Sequence, residues 1–167
     1  MNEKLDLLFE QCYHEKHSLG VEMLDVDNFK HVNDTYGHST GDDVLVLLGK
    51  CLKEITGPQI YAARYGGDEF VILFDNLKDE EIMQVNEVLK EKIKQGIESA
   101  SLPVFTISQG ATAKIPVEDN KAWDFTSTAD AALYVSKRSG KDQYLMVHSP
   151  SELKKPTANS YIAEPKQ

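Results

Sequence analysis

Cysteine is scarce in this chain, with Cys12 and Cys51 alone among 167 residues. Two thiols make neither a disulfide framework nor a metal cluster, so a reducing cytosol is the expected compartment. Long apolar runs are also missing. The longest are short pieces such as Val44–Leu48 and Phe70–Phe74, well below the roughly 18 residues of a membrane helix. The first residues, Met1 to Asp6, lack the basic start and apolar stretch of a signal peptide. Basic residues are outnumbered, 18 Lys and Arg against 27 Asp and Glu, which leaves a formal net charge of −9. That balance argues against a partner that is a nucleic-acid polymer, since such binders carry basic patches. A polyphosphate ligand would have to be met by local cations or metal ions.

What is present is ordinary for a folded domain. An apolar share of 41% and a charged share of 27% fit one globular unit with its own core. Residues 1–17 read as an amphipathic helix, with Leu5, Leu8, Phe9 and Cys12 at helical spacing. Leu19–Val26 reads as a buried strand ending at Asp25 and Asp27. A turn-rich stretch from Asn28 to Gly37 holds a short helix from Phe29. Thr40 is the expected N-cap of a helix to about Ile55, whose apolar face carries Val44, Leu48, Cys51 and Leu52. Two strands, Ile60–Tyr65 and Glu69–Phe74, flank Gly66-Gly67, a hairpin signal because both glycines tolerate positive φ. A helix over Asp79–Glu98, a strand over Val104–Ala113, a helix over Thr128–Arg138 and a strand over Tyr144–His148 follow. Residues 1–148 are thus the expected domain. Ser149–Gln167, polar and aperiodic, is expected to be a tail or linker. The order predicts an α/β (α+β) sandwich on a mostly antiparallel sheet.

Two acidic elements carry the chemistry. Asp25 closes a buried strand, where a carboxylate is costly unless a cation neutralises it. Asp68 and Glu69 sit at the tip of the Arg64–Phe70 hairpin. If the hairpin lies beside the strand, Asp25 and Asp68 converge as hard oxygen ligands of the kind Mg²⁺ takes. The turn after Asp25 offers free backbone N–H groups to phosphates. Asn33 and Asp42 suit the edge of a guanine. Lys137 and Lys141, four apart, read either as ordinary helix C-terminal charge or as a cationic clamp on a triphosphate.

Taken together, the chain resembles the GGDEF family of diguanylate cyclases. The matching pieces are Asp25–Lys30 with Asn33-Asp34 and Gly37-His38, then Gly41-Asp42, Arg64–Phe70, Thr106–Gly110 and Ala129–Tyr134. They span about residues 18–148. The resemblance implies a nucleotidyl-cyclase or polymerase-palm-like sheet with helices on both faces. It also implies condensation of two GTP into cyclic di-GMP with release of pyrophosphate. Mg²⁺ or Mn²⁺ is the implied cofactor, and a transient homodimer with one half-site per subunit is the implied assembly. Carried over by position, Asp25, the Val26 carbonyl and Asp68 would hold metal, and Glu69 would sit beside the reacting 3′-hydroxyl or a metal. Asn33 and Asp42 would read guanine. Asn28, Phe29 and Lys30, with Lys137 and Lys141, would hold phosphates, and His38 completes the substrate-binding set. The family's usual Arg at position 141 is Lys here, which keeps the charge and loses the bidentate fork. The alternative reading is a non-catalytic module that holds GTP or cyclic di-GMP, although the Gly66–Phe70 signature is intact.

Two family features are absent. The usual opening, Asp-x-Leu-Thr-Gly-Leu-x-Asn-Arg, is not found, and no sensory domain is recognisable, so a catalytic module of something longer is expected. The Arg and Asp of the family's inhibitory product site are replaced by Gly57 and Ile60. Product binding is therefore expected at the active half-site, if anywhere.

Overall fold

The computed structural model describes residues 2–153. In chain order the elements are α1 (Asn2–Glu15), β1 (Leu19–Val26), α2 (Phe29–Tyr36), α3 (His38–Ile55), β2 (Ile60–Gly66), β3 (Glu69–Asp75), α4 (Asp79–Ala100), β4 (Ile107–Lys114), α5 (Ala122–Arg138) and β5 (Tyr144–Met146). The five strands form one sheet in the order β2-β3-β1-β4-β5. All neighbours are antiparallel except β4 and β5.

β1 is the central strand and is buried along its whole length. Its alternation sorts the two cores. Leu19, Val21 and Met23 face α1 and α5, where they meet Leu8, Phe9, Phe125 and Leu133. Leu24 and Val26 face α3 and α4, with Val44, Leu48, Ile82 and Leu89. Cys51 belongs to this second core as a small buried side chain. Each such large side chain contributes about 1.5–3 kcal/mol by leaving water, so the helices are held by their apolar stripes. Asp25 continues the first face of β1, and it therefore points toward α5.

Several boundaries differ from the sequence reading. α3 begins at His38, because Gly37, at φ 91°, ends α2 and starts α3 at once. Thr40 lies inside the helix and donates to the Tyr36 carbonyl at 3.0 Å. β4 begins at Ile107, since Val104 stands 84% exposed and has no core to face. α5 begins six residues before Thr128, at Ala122, with the Asp124 carboxylate accepting from Lys121 N at 2.7 Å as its cap. Beyond β5, Pro150–Glu152 forms one 3₁₀ turn, and residues 154–167 of the expected tail lie outside the described residues. No helix among the described residues is long and apolar enough to cross a membrane.

A buried carboxyl network is embedded in the sheet. Glu22, fully buried, accepts from Asn86 Nδ2 at 2.8 Å and from Gln109 Nε2 at 2.7 Å. Burial pushes its carboxyl up to about 7, against the opposing pull of those two bonds. The folded chain therefore holds a proton that the unfolded chain releases near 4.5. That stabilisation is fully present below the unfolded value and is lost as pH rises through about 7. Urea unfolding is expected to show the protein about 1 kcal/mol less stable at about pH 8 than at about pH 6 from this group. Glu22→Gln should flatten that part of the slope, and an unchanged slope in the variant would contradict the assignment.

Candidate active site

β1 ends against the hairpin, and the register decides what meets there. Asp25 pairs across β1 and β3 with Glu69, and across β1 and β4 with Ser108. Val26 N donates to the Asp68 carbonyl at 3.3 Å, which sets the Asp68 backbone beside the end of β1. At the hairpin tip only Gly67 adopts positive φ, 53°, while Gly66 stays in β2 after a bulge. Arg64 holds the tip closed. Its Nε and Nη2 donate to the Gly67 carbonyl at 2.8 and 2.6 Å.

Asp25 is 7% exposed, and Lys137 from the last turn of α5 reaches its Oδ2 at 2.7 Å. Burial raises the Asp25 carboxyl most; the Lys137 bond opposes this, and the charges of Asp68 and Glu69 raise it further. Asp25 thus bonds Lys137 and feels the charges of two further acids. The carboxylates of Asp25, Asp68 and Glu69 are not drawn within 4.8 Å of one another as a ligand set. Hard oxygen donors with a surplus of negative charge are nevertheless the chemistry that suits Mg²⁺ or Mn²⁺.

Asp27 was not singled out for a role by the sequence, yet it organises the loops around Asp25. It is 5% exposed and accepts from Thr106 Oγ1 and Ser108 Oγ, each at 2.6 Å, and from Asp142 N at 2.9 Å. The last bond fixes a turn in which Gly140, Lys141 and Asp142 all take positive φ. Lys141 lies past the end of α5 on that turn, and its Nζ donates to Asn28 Oδ1.

Asn28 precedes α2 in the left-handed region, at φ 54°, and its side chain caps no helix amide. The first amides of α2, at Phe29 and Lys30, are thus left without a side-chain cap, an arrangement that receives phosphate oxygens. Lys141 adds a cation beside them. Lys30 itself is turned to Asp34 at 2.5 Å on the exposed side of α2, and His38 is exposed at the start of α3.

Asn33 packs over Gly41, so closely that a Cβ there would meet its Oδ1 at 1.9 Å. Asp42 lines a groove of about 580 Å³ between α3 and β2, shared with Leu45, Val46, Gly49, Arg64 and Phe70. Gly57 and Ile60 bond each other's backbones at 3.1 and 3.3 Å at the entry to β2. Neither supplies a charged side chain.

The sheet order and its acidic hairpin place the chain among palm-like α/β domains. The family model described as diguanylate cyclase, GGDEF domain, matches residues 1–143, and the chain belongs to this family. Diguanylate cyclase A of Treponema denticola is 35% identical over 150 residues, 82% of this chain and 39% of that protein. The uncharacterized protein YtrP of Bacillus subtilis is 36% identical over 133 residues, 79% of this chain and 22% of that one. The chain therefore spans well under half the length of these curated relatives. Among solved structures, the GGDEF domain of DgcB from Caulobacter crescentus in complex with c-di-GMP matches with a TM-score of 0.75 and 28% identity. The match covers 87% of this chain and 86% of that one. The active GGEEF domain of a diguanylate cyclase from Vibrio cholerae matches with a TM-score of 0.73 and 26% identity, over 86% and 92% of the two chains.

Proposed function

We propose that this domain condenses two GTP molecules into cyclic di-GMP with release of two pyrophosphates, each chain supplying one half-site. The observation that carries the reading is Asp25, a buried carboxylate at the end of β1 with Glu69 opposite, Asp68 alongside and Lys137 bonded to it. Asp25, Asp68 and the Val26 carbonyl are the groups that would hold Mg²⁺ or Mn²⁺. When bound, the ion supplies charge neutralisation at the α-phosphate and a lowered pKa for the attacking 3′-hydroxyl.

The chain's own residues do the rest. The uncapped amides of Phe29 and Lys30, beside Asn28, take phosphate oxygens, and Lys141 stands over them. Lys137, shared with Asp25, is the second cation available to the triphosphate. Glu69, opposite Asp25, accepts the proton of the 3′-hydroxyl as it attacks the α-phosphorus in line. Asp42 accepts from the N1–H and 2-amino group of guanine, and Asn33 completes the base edge. Each chain supplies one such half-site and holds one GTP. Turnover thus needs two chains meeting across their substrates, and the rate should rise as the square of protein concentration when dimers are few. The cytosol is the setting that fits, since GTP is there and free thiols stay reduced.

Base reading has its own test. Removing a carboxylate that pairs buried donors costs on the order of 1–3 kcal/mol, so Asp42→Ala should weaken GTP by about tenfold or more. ATP, lacking those donors, should change little. Cyclic di-GMP inhibition is expected to compete with GTP and to weaken in the same variant, because Gly57 and Ile60 offer no second anchor. Calorimetric titration and steady-state kinetics check both. Equal losses for GTP and ATP, or noncompetitive inhibition by the product, would count against this pocket.

A further inference from the structure

The opposite end of β1 gathers a different set of side chains. Leu19 pairs with Asp75, and Asp25 pairs with Glu69. The two places are therefore six residues of β1 apart, about 20 Å. α1 is followed by Lys16 at φ 56°, and His17 N then bonds the Cys12 carbonyl at 3.1 Å. That turn folds His17 back over Cys12. Asp75 is fixed from both sides of its peptide. Its N donates to the Gln59 carbonyl at 2.8 Å, and its carbonyl accepts from Gln59 Nε2 at 2.9 Å.

The side chains converge on these anchors. Cys12 Sγ, fully buried, lies 3.8 Å from Asp75 Oδ1 and 3.6 Å from the Ser18 carbonyl. His17 Nε2 lies 3.7 Å from Asp75 Oδ1 and 3.3 Å from Glu15 Oε2. It is buried and makes no hydrogen bond. Among the described residues, Cys12, His17 and Asp75 are the one group of three ligating side chains whose atoms all lie within 4.8 Å.

We propose that Cys12, His17 and Asp75 form a binding site for a thiophilic divalent cation of the Zn²⁺ class, with a water as the fourth donor. The spacing fits the ion. Tetrahedral zinc at its usual bond lengths sets sulfur, nitrogen and oxygen ligands about 3.3–3.6 Å from each other. The sides measured at 3.7 and 3.8 Å need to close by only a few tenths of an ångström. The donor set also selects against Mg²⁺, which takes oxygens and keeps its waters. Thiolate and imidazole suit zinc instead. On binding, the Cys12 S–H bond gives way to a sulfur–metal bond and its proton leaves to solvent, with no change of oxidation state. The His17 and Asp75 side chains keep 15% and 13% of their surface exposed, which sets that side of the site near solvent. A cation held there ties α1 and the turn after it to the end of β3. Counting cysteines could not find this site, because one thiol serves it and Asp75 comes from 63 residues along the chain.

The test uses the full chain, reduced and stripped with a chelator, then titrated with Zn²⁺ alone and with Co²⁺ alone. One equivalent of Zn²⁺ should bind with submicromolar affinity. Co²⁺ should give a thiolate-to-metal charge-transfer band, which the carboxylates around Asp25 cannot produce. Cys12→Ser should abolish the band and weaken Zn²⁺ at least ~100-fold, beyond the loss of a merely supporting partner. Cys51→Ala should keep both. If Cys12→Ser does not fold by circular dichroism, His17→Ala is read in its place and should weaken Zn²⁺ by a similar factor. The proposal is overturned if no stoichiometric Zn²⁺ binds, if the band survives Cys12→Ser, or if His17→Ala binds as the unsubstituted chain does.

Discussion

Asp25→Asn is expected to leave a folded protein that turns over GTP about 10³-fold more slowly or worse. The size follows from removing a charged group that acts where negative charge builds up in the transition state. Stability should move little, and the physical reason can be read from the site. The Asp25 carboxyl is raised above its ordinary value, so its ionised form is disfavoured by the fold and is more costly at neutral pH than in acid. An amide relieves that cost. Lys137, 33% exposed, can return to water when its partner loses its charge. Thermal unfolding should therefore show an equal or higher midpoint, while initial-rate assays at saturating Mg²⁺ show the loss. Full activity in a folded Asp25→Asn chain would remove Asp25 from the metal and from the mechanism.

Gly110→Ala should do the reverse, costing stability first and activity as a consequence. β4 and α5 touch at this glycine. A Cβ on Gly110 would fall 1.9 Å from Leu133 N, 2.4 Å from the Ala129 carbonyl oxygen and 2.6 Å from the Ala132 carbonyl carbon. All three are backbone atoms of a helix, so no rotamer change can make room. α5 must move off the sheet, which strains the Ser136 Oγ bond to the Gln109 carbonyl, 2.8 Å, and shifts Lys137 from Asp25. A loss of about 3 kcal/mol is expected from overpacking of this kind. Urea unfolding measures it. A change within about 0.5 kcal/mol would mean that α5 is not seated as closely as described.

The contrast between these two positions shows what the sequence makes legible. β1, the hairpin and the apolar faces of α1 and α3 follow from periodicity and a Gly-Gly pair, because both signals are local. Setting β3 beside β1 is enough to bring the Asp68 backbone alongside the end of β1. Asp27 is not legible in this way. Its partners Thr106 and Ser108 lie some eighty residues away, and only the β1–β4 register brings their hydroxyls to its two oxygens. Arg64 belongs to a quoted motif, yet its bond to the Gly67 carbonyl depends on a bulge that no residue pattern announces. The start of α5 is hard to read because Lys121–Ser127 alternates polar and apolar residues irregularly. Asp124, three residues after Lys121, is the available capping signal. Lys137 reads as a helix-end charge or a phosphate ligand, and its ion pair with Asp25 is a fact of tertiary packing.

The central claim, that the Asp25–Asp68–Glu69 corner with the Asn28–Lys30 turn performs cyclic condensation of GTP, is tested most directly by product analysis. The purified chain is incubated with Mg²⁺ and either GTP or ATP across a range of protein concentrations, and products are separated and weighed by mass spectrometry. The account predicts cyclic di-GMP and two equivalents of pyrophosphate from GTP, a rate that grows faster than linearly with protein, and no cyclic dinucleotide from ATP. GTP bound and returned unchanged at every protein concentration, or a cyclic dinucleotide formed equally well from ATP, would contradict it.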